Sequence, residues 1–536
     1  MLAKYLLYGG GGKQWETLIH NGPMCAPLYE PHNIPVIING VKHQLSGLAE
    51  EYITMYARYI DSDYVKKPRF NKNFLHDWKK TLPSHIKVNN MDEVNVNDIK
   101  KHLDKVKDKK ANMSKEMKDK IKNDSLKIEE PYMYCVVNGG RMKVGNYKIE
   151  PPGIFLGRGD HPKLGMIKTR INPEDVIINI SKDAPIPKPN VSGKWSKVIH
   201  NQEVVWLATW NDNISGKNKY VFTSMESIFK SKSDMDKFDL AKSLKRKANT
   251  IRTAYYEDMK SNNIISQQHA VALYLIDNLA LRVGGAKDTK ETADTVGVTS
   301  LRVEHITLLD NEIIKLDFLG KDSVRYCRKV KLDNIVYNCI KNFTLNKNKK
   351  VDLFDKISSS SLNNYLNSLM EGLTAKVWRT YNASTLFQKE LDRVNTNVLE
   401  KMPESERINY LISIFNQANT AVALLCNHQK NVSTDIEKSL TKINEMIKKY
   451  KDKKNKSKNK EKIKVYSAKI LTLKLKRDTK EKMKNVSLGT SKTNYIDPRI
   501  IFAFMKRYEI PEDKLFNKAL LTRFEWARSV NIDYRF

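Results

Sequence analysis

The chain lacks the cysteine pattern that a disulfide framework or a zinc site requires. Its 536 residues include five cysteines, with neither a CxxC pair nor a histidine at zinc-finger spacing. They are scattered at Cys25, Cys135, Cys327, Cys339 and Cys426. The sequence therefore predicts a reducing compartment, and neither disulfide bonds nor a structural metal.

A long hydrophobic run is also missing. The apolar stretch in residues 1–8 is short and is followed by four glycines, which argues against a signal peptide or a membrane span. The glycines and Lys13 resemble part of a phosphate-binding loop, but Leu7 and Gln14 break the pattern GxxxxGK[ST] at both ends. We therefore expect a soluble, intracellular chain with no membrane partner and no ATP site.

Acidic residues are scarce relative to basic ones. The chain has 94 Lys plus Arg against 61 Asp plus Glu, a formal net charge of +33 and a pI near 9.6. Because so large a charge repels itself in a compact state, it favours a polyanionic partner such as nucleic acid. The alternative is a lysine-rich solubilising surface in a protein from an AT-rich genome, which the abundance of Lys, Asn and Ile also fits.

The first part of the chain indicates a β-rich lobe that ends near residue 227. Residues 20–85 mix short apolar runs with a helical pattern at 45–60, and the highly charged stretch 88–123 predicts one or two exposed helices. Prolines and glycines crowd residues 147–194, with short strand-like runs between and after them. We take 1–227 as one α+β unit of a multidomain protein.

Residues 228–430 are mostly helical in pattern and form the best candidate for a catalytic lobe. Residues 270–281 are apolar at helical spacing, and Gly284-Gly285 supplies a helix stop. A β-hairpin is predicted next, with strands at 313–318 and 323–330 and a turn at Gly320-Lys321-Asp322.

Residues 431–486 form a strongly basic segment with two helical patterns. Isoleucine and leucine recur at intervals of three and four residues on both sides of the run 448–461, which contains no aliphatic residue. This predicts two amphipathic helices folded back as an antiparallel coiled-coil linker. The segment has 19 Lys or Arg against seven Asp or Glu, and its tip at 450–461 suits a disordered lysine tract.

Residues 487–536 predict a small helical C-terminal domain. Asp497 and Pro498 form a good helix start, with Asp497 as the N-cap and Pro498 at the first helical position.

Five short segments carry residues suited to phosphodiester chemistry. They contain two arginines, a lysine, a histidine and a tyrosine, the groups that exchange through a tyrosyl ester requires. The segments are Leu279-Ala280-Leu281-Arg282, Phe318-Leu319-Gly320-Lys321-Asp322-Ser323, Lys376-Val377-Trp378-Arg379-Thr380-Tyr381-Asn382, Leu425-Cys426-Asn427-His428-Gln429 and Ser491-Lys492-Thr493-Asn494-Tyr495-Ile496-Asp497-Pro498-Arg499. In wording and order they closely resemble the eukaryotic type IB DNA topoisomerases, which nick and reseal one DNA strand. The resemblance extends from about Trp15 to Phe536.

The resemblance implies a role for each of the five residues. Tyr495 is the expected nucleophile, since a phenol with a pKa of about 10 is also a fair leaving group for the reverse step. Arg282 and Arg379 would bind the nonbridging oxygens of the scissile phosphate, and His428 would donate to another of these oxygens. Lys321, on a tight turn, would protonate the leaving 5′-oxygen. Taken singly, each residue has a more ordinary explanation as a half-buried tyrosine ring, a surface arginine, a helix-capping histidine or a turn lysine.

Further positions match the family outside these five. Arg158, Asp322 and Asn494 occupy positions that line the cleavage site and the pocket of camptothecin-like poisons, and Lys163 is a plausible DNA-backbone contact. The long charged N-terminal tail of nuclear members is absent from this sequence, and the linker is shorter than in larger relatives. We expect a nuclear location, or a viral replication compartment if the protein is virus-encoded.

The resemblance implies a monomer in which the β-rich upper lobe and the helical catalytic lobe form a clamp around double-stranded DNA. Supercoils of either sign would be released by strand rotation while a 3′-phosphotyrosyl bond persists. Neither ATP nor a metal is expected to be required, and magnesium would only stimulate. Two alternatives stay open, a tyrosine site-specific recombinase and a catalytically silent DNA-binding clamp.

Overall fold

The structure, a computed structural model, describes residues 7–224, 228–427, 435–482 and 488–536. It divides the chain into two compact units. The first comprises Met1–Ser227 with Lys287–Asp294, and the second comprises Ile228–Ala286 with Thr295–Phe536. The second unit combines the segments that the sequence predicts to be a catalytic lobe, a linker and a C-terminal domain. That finer division stays a prediction. The sequence did not predict that residues 287–294 belong to the first unit.

The first unit contains many short strands and four described α-helices. Its sheets have the orders β1-β5-β6, β3-β2-β4, β7-β8 and β10-β9-β11-β12. The strands are β1 Leu18–His20, β2 Val36–Ile38, β3 Val41–His43, β4 Val94–Asn95, β5 Tyr134–Val137, β6 Gly140–Lys143, β7 Gly153–Ile154, β8 Ile167–Lys168, β9 Ile177–Asn179, β10 Lys197–Ile199, β11 Trp206–Asp212 and β12 Lys217–Phe222. Prolines and glycines interrupt pairing around β7 and β8, which keeps these strands short. The predicted β-rich lobe is confirmed.

The helices of the first unit are of two kinds. α1 Gly47–Ala57 and α2 Pro68–Lys79 bury aromatic side chains in a core that includes Phe70, Phe74 and Trp78. In contrast, α3 Asn97–Ala111 and α4 Lys115–Glu129 are highly charged, and only Ile99 among their residues is buried. The predicted exposed helices are therefore confirmed, although they begin and end later than the pattern at 88–123 indicated.

The second unit is mostly helical and contains one three-stranded sheet of order β13-β14-β15. Its strands are β13 Ile306–Leu309, β14 Ile313–Leu319 and β15 Arg325–Lys331. Its helices are α5 Ile228–Lys260, α6 Ile264–Leu279, α7 Asn334–Thr344, α8 Ser359–Leu369, α9 Ala375–Leu391, α10 Thr396–Glu400, α11 Glu404–Leu425, α12 Asp435–Lys456, α13 Lys460–Lys482, α14 Leu488–Asn494, α15 Pro498–Arg507, α16 Glu512–Leu515 and α17 Lys518–Arg523. One hydrophobic core runs through the unit and includes residues from α5 to the C-terminal segment.

Of two local predictions in this unit, the β-hairpin agrees with the structure and the helix over 270–281 differs at its end. The hairpin is confirmed, with β14 and β15 paired in register from Ile313 opposite Lys331 to Leu319 opposite Arg325. The predicted helix over 270–281 is wrong at its end, because α6 ends at Leu279 and Ala280 adopts a left-handed conformation with φ 50°. The chain thus leaves the helix before Arg282 and well before the two glycines.

The coiled-coil hairpin is also confirmed. Ile443 and Ile447 of α12 pack against Ile470 of α13 in a small apolar cluster. The predicted disordered tip is wrong in extent, because α12 continues to Lys456 and α13 begins at Lys460. Tyr450, inside the run without aliphatic residues, is one reason, since its ring lies 6.0 Å from that of Tyr466 on the facing helix.

None of the described helices combines the length and the apolar character that crossing a membrane would demand.

His20, at the end of β1, is a buried neutral group of the first unit. Its Nε2 lies 2.9 Å from the carbonyl oxygen of Asn179, while its Nδ1 accepts a hydrogen bond of 2.9 Å from Gly22 N. Burial lowers the pKa of His20 from its usual 6.5 to about 4. A proton added at Nδ1 would face the Gly22 N–H, so the folded state resists protonation.

We predict that the first unit loses stability as pH falls from 6.5 to 4. In this window the unfolded chain binds a proton at His20 that the folded chain does not, so folding is disfavoured by up to about 3 kcal/mol at the acid end. His20→Gln should reduce the dependence of the thermal midpoint on pH across the window, and His85→Gln, at an exposed position, should not. An unchanged acid dependence in His20→Gln would contradict the assignment.

Candidate active site

Three of the residues selected from the sequence lie around one small cleft in the second unit. The cleft has a volume of about 50 Å³ and is lined by the end of α6, the turn between β14 and β15, α9 and the end of α11. Arg282, Lys321 and Arg379 all contribute to its walls. With Val296 and Gly297, which also line the cleft, five separate segments of the chain supply its walls.

Tyr495 lies directly after α14 and is largely buried, with 8% of its surface exposed. Its hydroxyl oxygen is 3.4 Å from Nη1 of Arg282. The guanidinium carbon of Arg379 lies 5.1 Å from the centroid of the Tyr495 ring, within the range of a cation–π contact. The phenol is thus next to two permanent positive charges.

Arg379 is held inside the protein by backbone carbonyls. Only 4% of the residue is exposed, and its two Nη atoms donate to the carbonyl oxygens of Ala280 and Cys426, the latter at 3.3 Å. Within the described part of the chain its Nε, also buried, has no hydrogen-bond acceptor. This Nε–H is therefore a buried donor whose hydrogen bond is not made within the described residues.

The segment that carries Arg282 is fixed by backbone pairing with residues 297–299. Val298 N donates to the carbonyl oxygen of Arg282 at 2.9 Å, and Thr299 N donates to that of Val283 at 2.8 Å. The two segments approach so closely at Gly297 that a Cβ there would lie 2.7 Å from the Arg282 carbonyl oxygen and 2.5 Å from Gly284 Cα. The position therefore requires glycine.

Lys321 is exposed at the tip of the β14–β15 hairpin. Gly320 N donates to the carbonyl oxygen of Val324 at 2.8 Å, and both Asp322 and Ser323 adopt left-handed conformations. The turn therefore occupies five residues, two more than predicted. Lys321 therefore projects from the end of the hairpin, and its long side chain can move over the cleft.

Three family models match this chain, in order along its length. Residues 13–223 match the eukaryotic DNA topoisomerase I DNA-binding fragment, 226–461 match the eukaryotic DNA topoisomerase I catalytic core, and 467–536 match the C-terminal topoisomerase domain. The chain is 40% identical to DNA topoisomerase 1 of Homo sapiens over 98% of its own length and 72% of the human protein. This chain belongs to the eukaryotic DNA topoisomerase I family.

Other relatives are similarly close. DNA topoisomerase 1 beta of Arabidopsis thaliana is 40% identical, and the alignment covers all of this chain and 60% of the plant protein. DNA topoisomerase 1 of Caenorhabditis elegans is also 40% identical, over 96% of this chain and 67% of the nematode protein. The predicted family and enzyme class, a type IB DNA topoisomerase with DNA as its substrate, are confirmed by these matches.

The remaining predicted site residues differ in what surrounds them. His428 lies outside the described residues. Arg158 lies in an exposed loop of the first unit. Lys163, in the same unit, donates to the carbonyl oxygen of Ile214 at 2.6 Å and forms an ion pair with Glu291.

Asp322 and Asn494 belong to the second unit. Asp322 lies beside Lys321 in the hairpin turn, and Asn494 is the exposed last residue of α14, directly before Tyr495. The roles of these two residues, like those of Arg158, Lys163 and His428, stay predictions.

The sequence did not point to the residues that hold the backbone on either side of Tyr495, the proposed nucleophile. Ser384 on α9 bonds to the backbone of Tyr495 and Asp497. Lys237 on α5 donates to the carbonyl oxygen of Asn494 at 3.2 Å, and burial lowers its pKa to about 8. No motif marks either residue, because each acts through a contact with a segment more than 100 residues away.

Among the described residues, His, Cys, Asp and Glu side chains do not cluster in groups of three or more that could hold a metal ion. The expectation of metal-independent chemistry stays a prediction.

We predict that Gly297→Ala impairs both stability and DNA cleavage. Its Cβ would push apart the backbone segments that position Arg282, at a cost of about 1–3 kcal/mol for overpacking. Gly285→Ala is the control, because a Cβ there lies 3.5 Å from Ser359 Oγ, an ordinary contact. Thermal melting and single-turnover cleavage should both be reduced in Gly297→Ala and nearly normal in Gly285→Ala. Equal behaviour of the two variants would show that the close approach is unimportant.

Proposed function

We propose that this chain relaxes supercoiled DNA of either sign by single-strand cleavage with Tyr495 as nucleophile. The observation that carries the proposal is the position of the Tyr495 hydroxyl, 3.4 Å from Arg282 Nη1 with the Arg379 guanidinium over its ring. Attack of the phenol oxygen on phosphorus joins Tyr495 to the 3′ end and releases a 5′-hydroxyl. Because the phosphotyrosyl ester conserves the bond energy, the reverse attack reseals the strand without a cofactor.

Arg282 and Arg379 stabilise the negative charge that develops on the nonbridging oxygens in the transition state. Both guanidiniums are permanently ionised, and Arg379 is held rigid before substrate binds. The buried Nε–H of Arg379, which has no acceptor among the described residues, supports this role, since a phosphate oxygen in the cleft would complete its hydrogen bonding. His428 is proposed to donate to another nonbridging oxygen.

Lys321 is proposed as the general acid that protonates the leaving 5′-oxygen. Its exposure in the β14–β15 turn and its contribution to the lining of the cleft support this role. A second function, electrostatic contact with the phosphate alone, would leave the leaving oxygen without a proton source. The two roles are separable by experiment.

Arg158, Asp322 and Asn494 are proposed to contact DNA or a camptothecin-like inhibitor near the cleavage site. Lys163 is the least supported of the proposed DNA contacts, because its ammonium already bonds to Ile214 and Glu291.

The basic surface supplies the nonspecific part of DNA binding. The chain's +33 charge and the exposed lysines of the α12–α13 coiled coil are suited to phosphate contacts that do not depend on sequence. We propose that the protein acts as a monomeric clamp around the duplex, that rotation of the free strand is slowed by these contacts, and that it works in the nucleus or, for a virus-encoded enzyme, at sites of viral replication.

We predict that the purified chain relaxes positively and negatively supercoiled plasmid in EDTA without ATP, and that Tyr495→Phe relaxes neither. The variant keeps the ring and its packing, so its DNA affinity should stay within about twofold of wild type while no covalent adduct forms. Tyr508→Phe, in the same C-terminal region with its ring against Phe504, is the matched control and should be active. An adduct in Tyr495→Phe, or an absolute need for magnesium or ATP, would refute the mechanism.

We predict that Lys321→Ala slows cleavage roughly 10²–10⁴-fold, the usual effect of losing a general acid. A substrate with sulfur in place of the bridging 5′-oxygen should restore its rate to near wild type, because a thiolate leaves without a proton. Lys329→Ala, opposite Lys315 on the same hairpin and away from the turn, should cleave both substrates normally.

Arg282→Ala and Arg379→Ala should stay slow on the sulfur substrate, since the charge on the nonbridging oxygens still needs stabilisation. If Lys321→Ala were equally slow on that substrate, Lys321 would be an electrostatic contact and the acid would have to be sought elsewhere.

A further inference from the structure

A single buried hydroxyl connects the helix of Arg379 to the backbone around the nucleophile. Ser384 on α9 has no exposed surface. Its Oγ donates to the carbonyl oxygen of Tyr495 at 3.1 Å and accepts a hydrogen bond of 3.0 Å from Asp497 N. Ser384 therefore bonds to the backbone at both ends of the short turn from Tyr495 to Asp497.

This arrangement is unusual for a serine inside a helix. Such hydroxyls commonly bond to the carbonyl oxygen four residues earlier in their own helix. Thr380 on the same helix does so with Lys376 at 3.1 Å, and Ser413 on α11 does so with Asn409 at 2.9 Å. The Ser384 hydroxyl bonds instead to a segment 111 and 113 residues further along the chain.

The helix that carries Ser384 is itself rigidly held. Trp378 Nε1 donates to Asp277 Oδ1 at 2.8 Å, and Asn382 Nδ2 donates to the carbonyl oxygen of Asp277 at 2.5 Å. Arg379 and Ser384 are five residues apart, which corresponds to about 7.5 Å along a helix axis. One rigid element therefore presents both the guanidinium over the Tyr495 ring and the hydroxyl that holds the Tyr495 backbone.

Asp497, at the other end of the turn that begins at Tyr495, is also held by hydrogen bonds. The side chain of Asp497 caps α15 by accepting from Arg499 N at 2.9 Å, and it accepts a hydrogen bond of 3.0 Å from the Tyr534 hydroxyl. Removal of the Ser384 hydroxyl would leave a buried carbonyl and a buried N–H without this partner. Because such groups are costly to leave unpaired, the turn would shift toward other partners and carry the phenol with it.

We infer that Ser384 is a positioning residue for Tyr495, which sets the distance of the phenol oxygen from Arg282 and Arg379. The inference rests on the proposed role of Tyr495 as nucleophile. Ser384 contacts no reacting atom; it acts through the backbone of the nucleophile. A displacement of about 1 Å at a reacting atom costs on the order of 10²-fold in rate, and this is the size of the effect that we expect.

The test is single-turnover cleavage of a duplex oligonucleotide by the full chain at saturating enzyme, for wild type, Ser384→Ala and Ser413→Ala. We expect Ser384→Ala to cleave about 10²-fold more slowly with nearly unchanged DNA affinity, and Ser413→Ala to resemble wild type. Religation should slow by a similar factor, because cleavage and religation pass through one transition state. The 5′-sulfur substrate should not rescue Ser384→Ala, since leaving-group protonation is not its defect.

Three results would overturn the inference: a cleavage rate in Ser384→Ala within twofold of wild type, a defect in DNA affinity alone, or rescue by the sulfur substrate. If Ser384→Ala does not fold, Ser384→Cys takes its place, because sulfur keeps the volume but hydrogen-bonds weakly. About tenfold slower cleavage is then expected, and a wild-type rate would overturn the inference. Failure of the wild-type chain to cleave would defeat the proposed function instead.

Discussion

The candidate active site depends on the burial of one charged group. A guanidinium in the interior of a protein is stable only if hydrogen-bond acceptors surround it, and this holds for Arg379. Those acceptors are the carbonyl oxygens of Ala280 and Cys426, at the ends of α6 and α11. The left-handed conformation of Ala280 belongs to the same arrangement, since it ends α6 where its carbonyl faces the arginine. Three helices are thereby held in fixed relation around the cleft.

The proposed nucleophile shares a hydrophobic core with the segments that carry Arg282 and Arg379. Tyr495 and Ile496 belong to the same cluster of buried residues as Leu281, Phe318 and Trp378. The segment from Tyr495 onward is therefore part of the same unit as Arg282 and Arg379, although the sequence predicts a separate C-terminal domain there. The contacts that bury Tyr495 and Ile496 are therefore part of the core of this unit.

Charge is distributed differently inside the protein and on its surface. Inside the second unit, Asp234 bonds with Lys230, Lys237 and Arg523, and Asp497 bonds with Arg499. Such buried groups require partners because desolvation is costly. The excess positive charge is carried by exposed lysines such as those of α12 and α13, where it remains available to phosphates. The interior charges thus bond to one another within the fold, whereas the surface charges are the ones proposed to contact DNA.

The family, the five proposed catalytic residues, the β14–β15 hairpin and the coiled coil can all be predicted from the sequence alone. Each is a local property, a motif of consecutive residues or an apolar period, and can be recognised without knowing what packs against it. Other features of the site depend on long-range contacts. The end of α6 at Leu279, the bonds of Ser384 to the Tyr495 turn and the pairing of Lys163 with Glu291 all depend on partners distant in the chain. No local pattern encodes them, because the energy that selects them exists only once the distant segments are in contact.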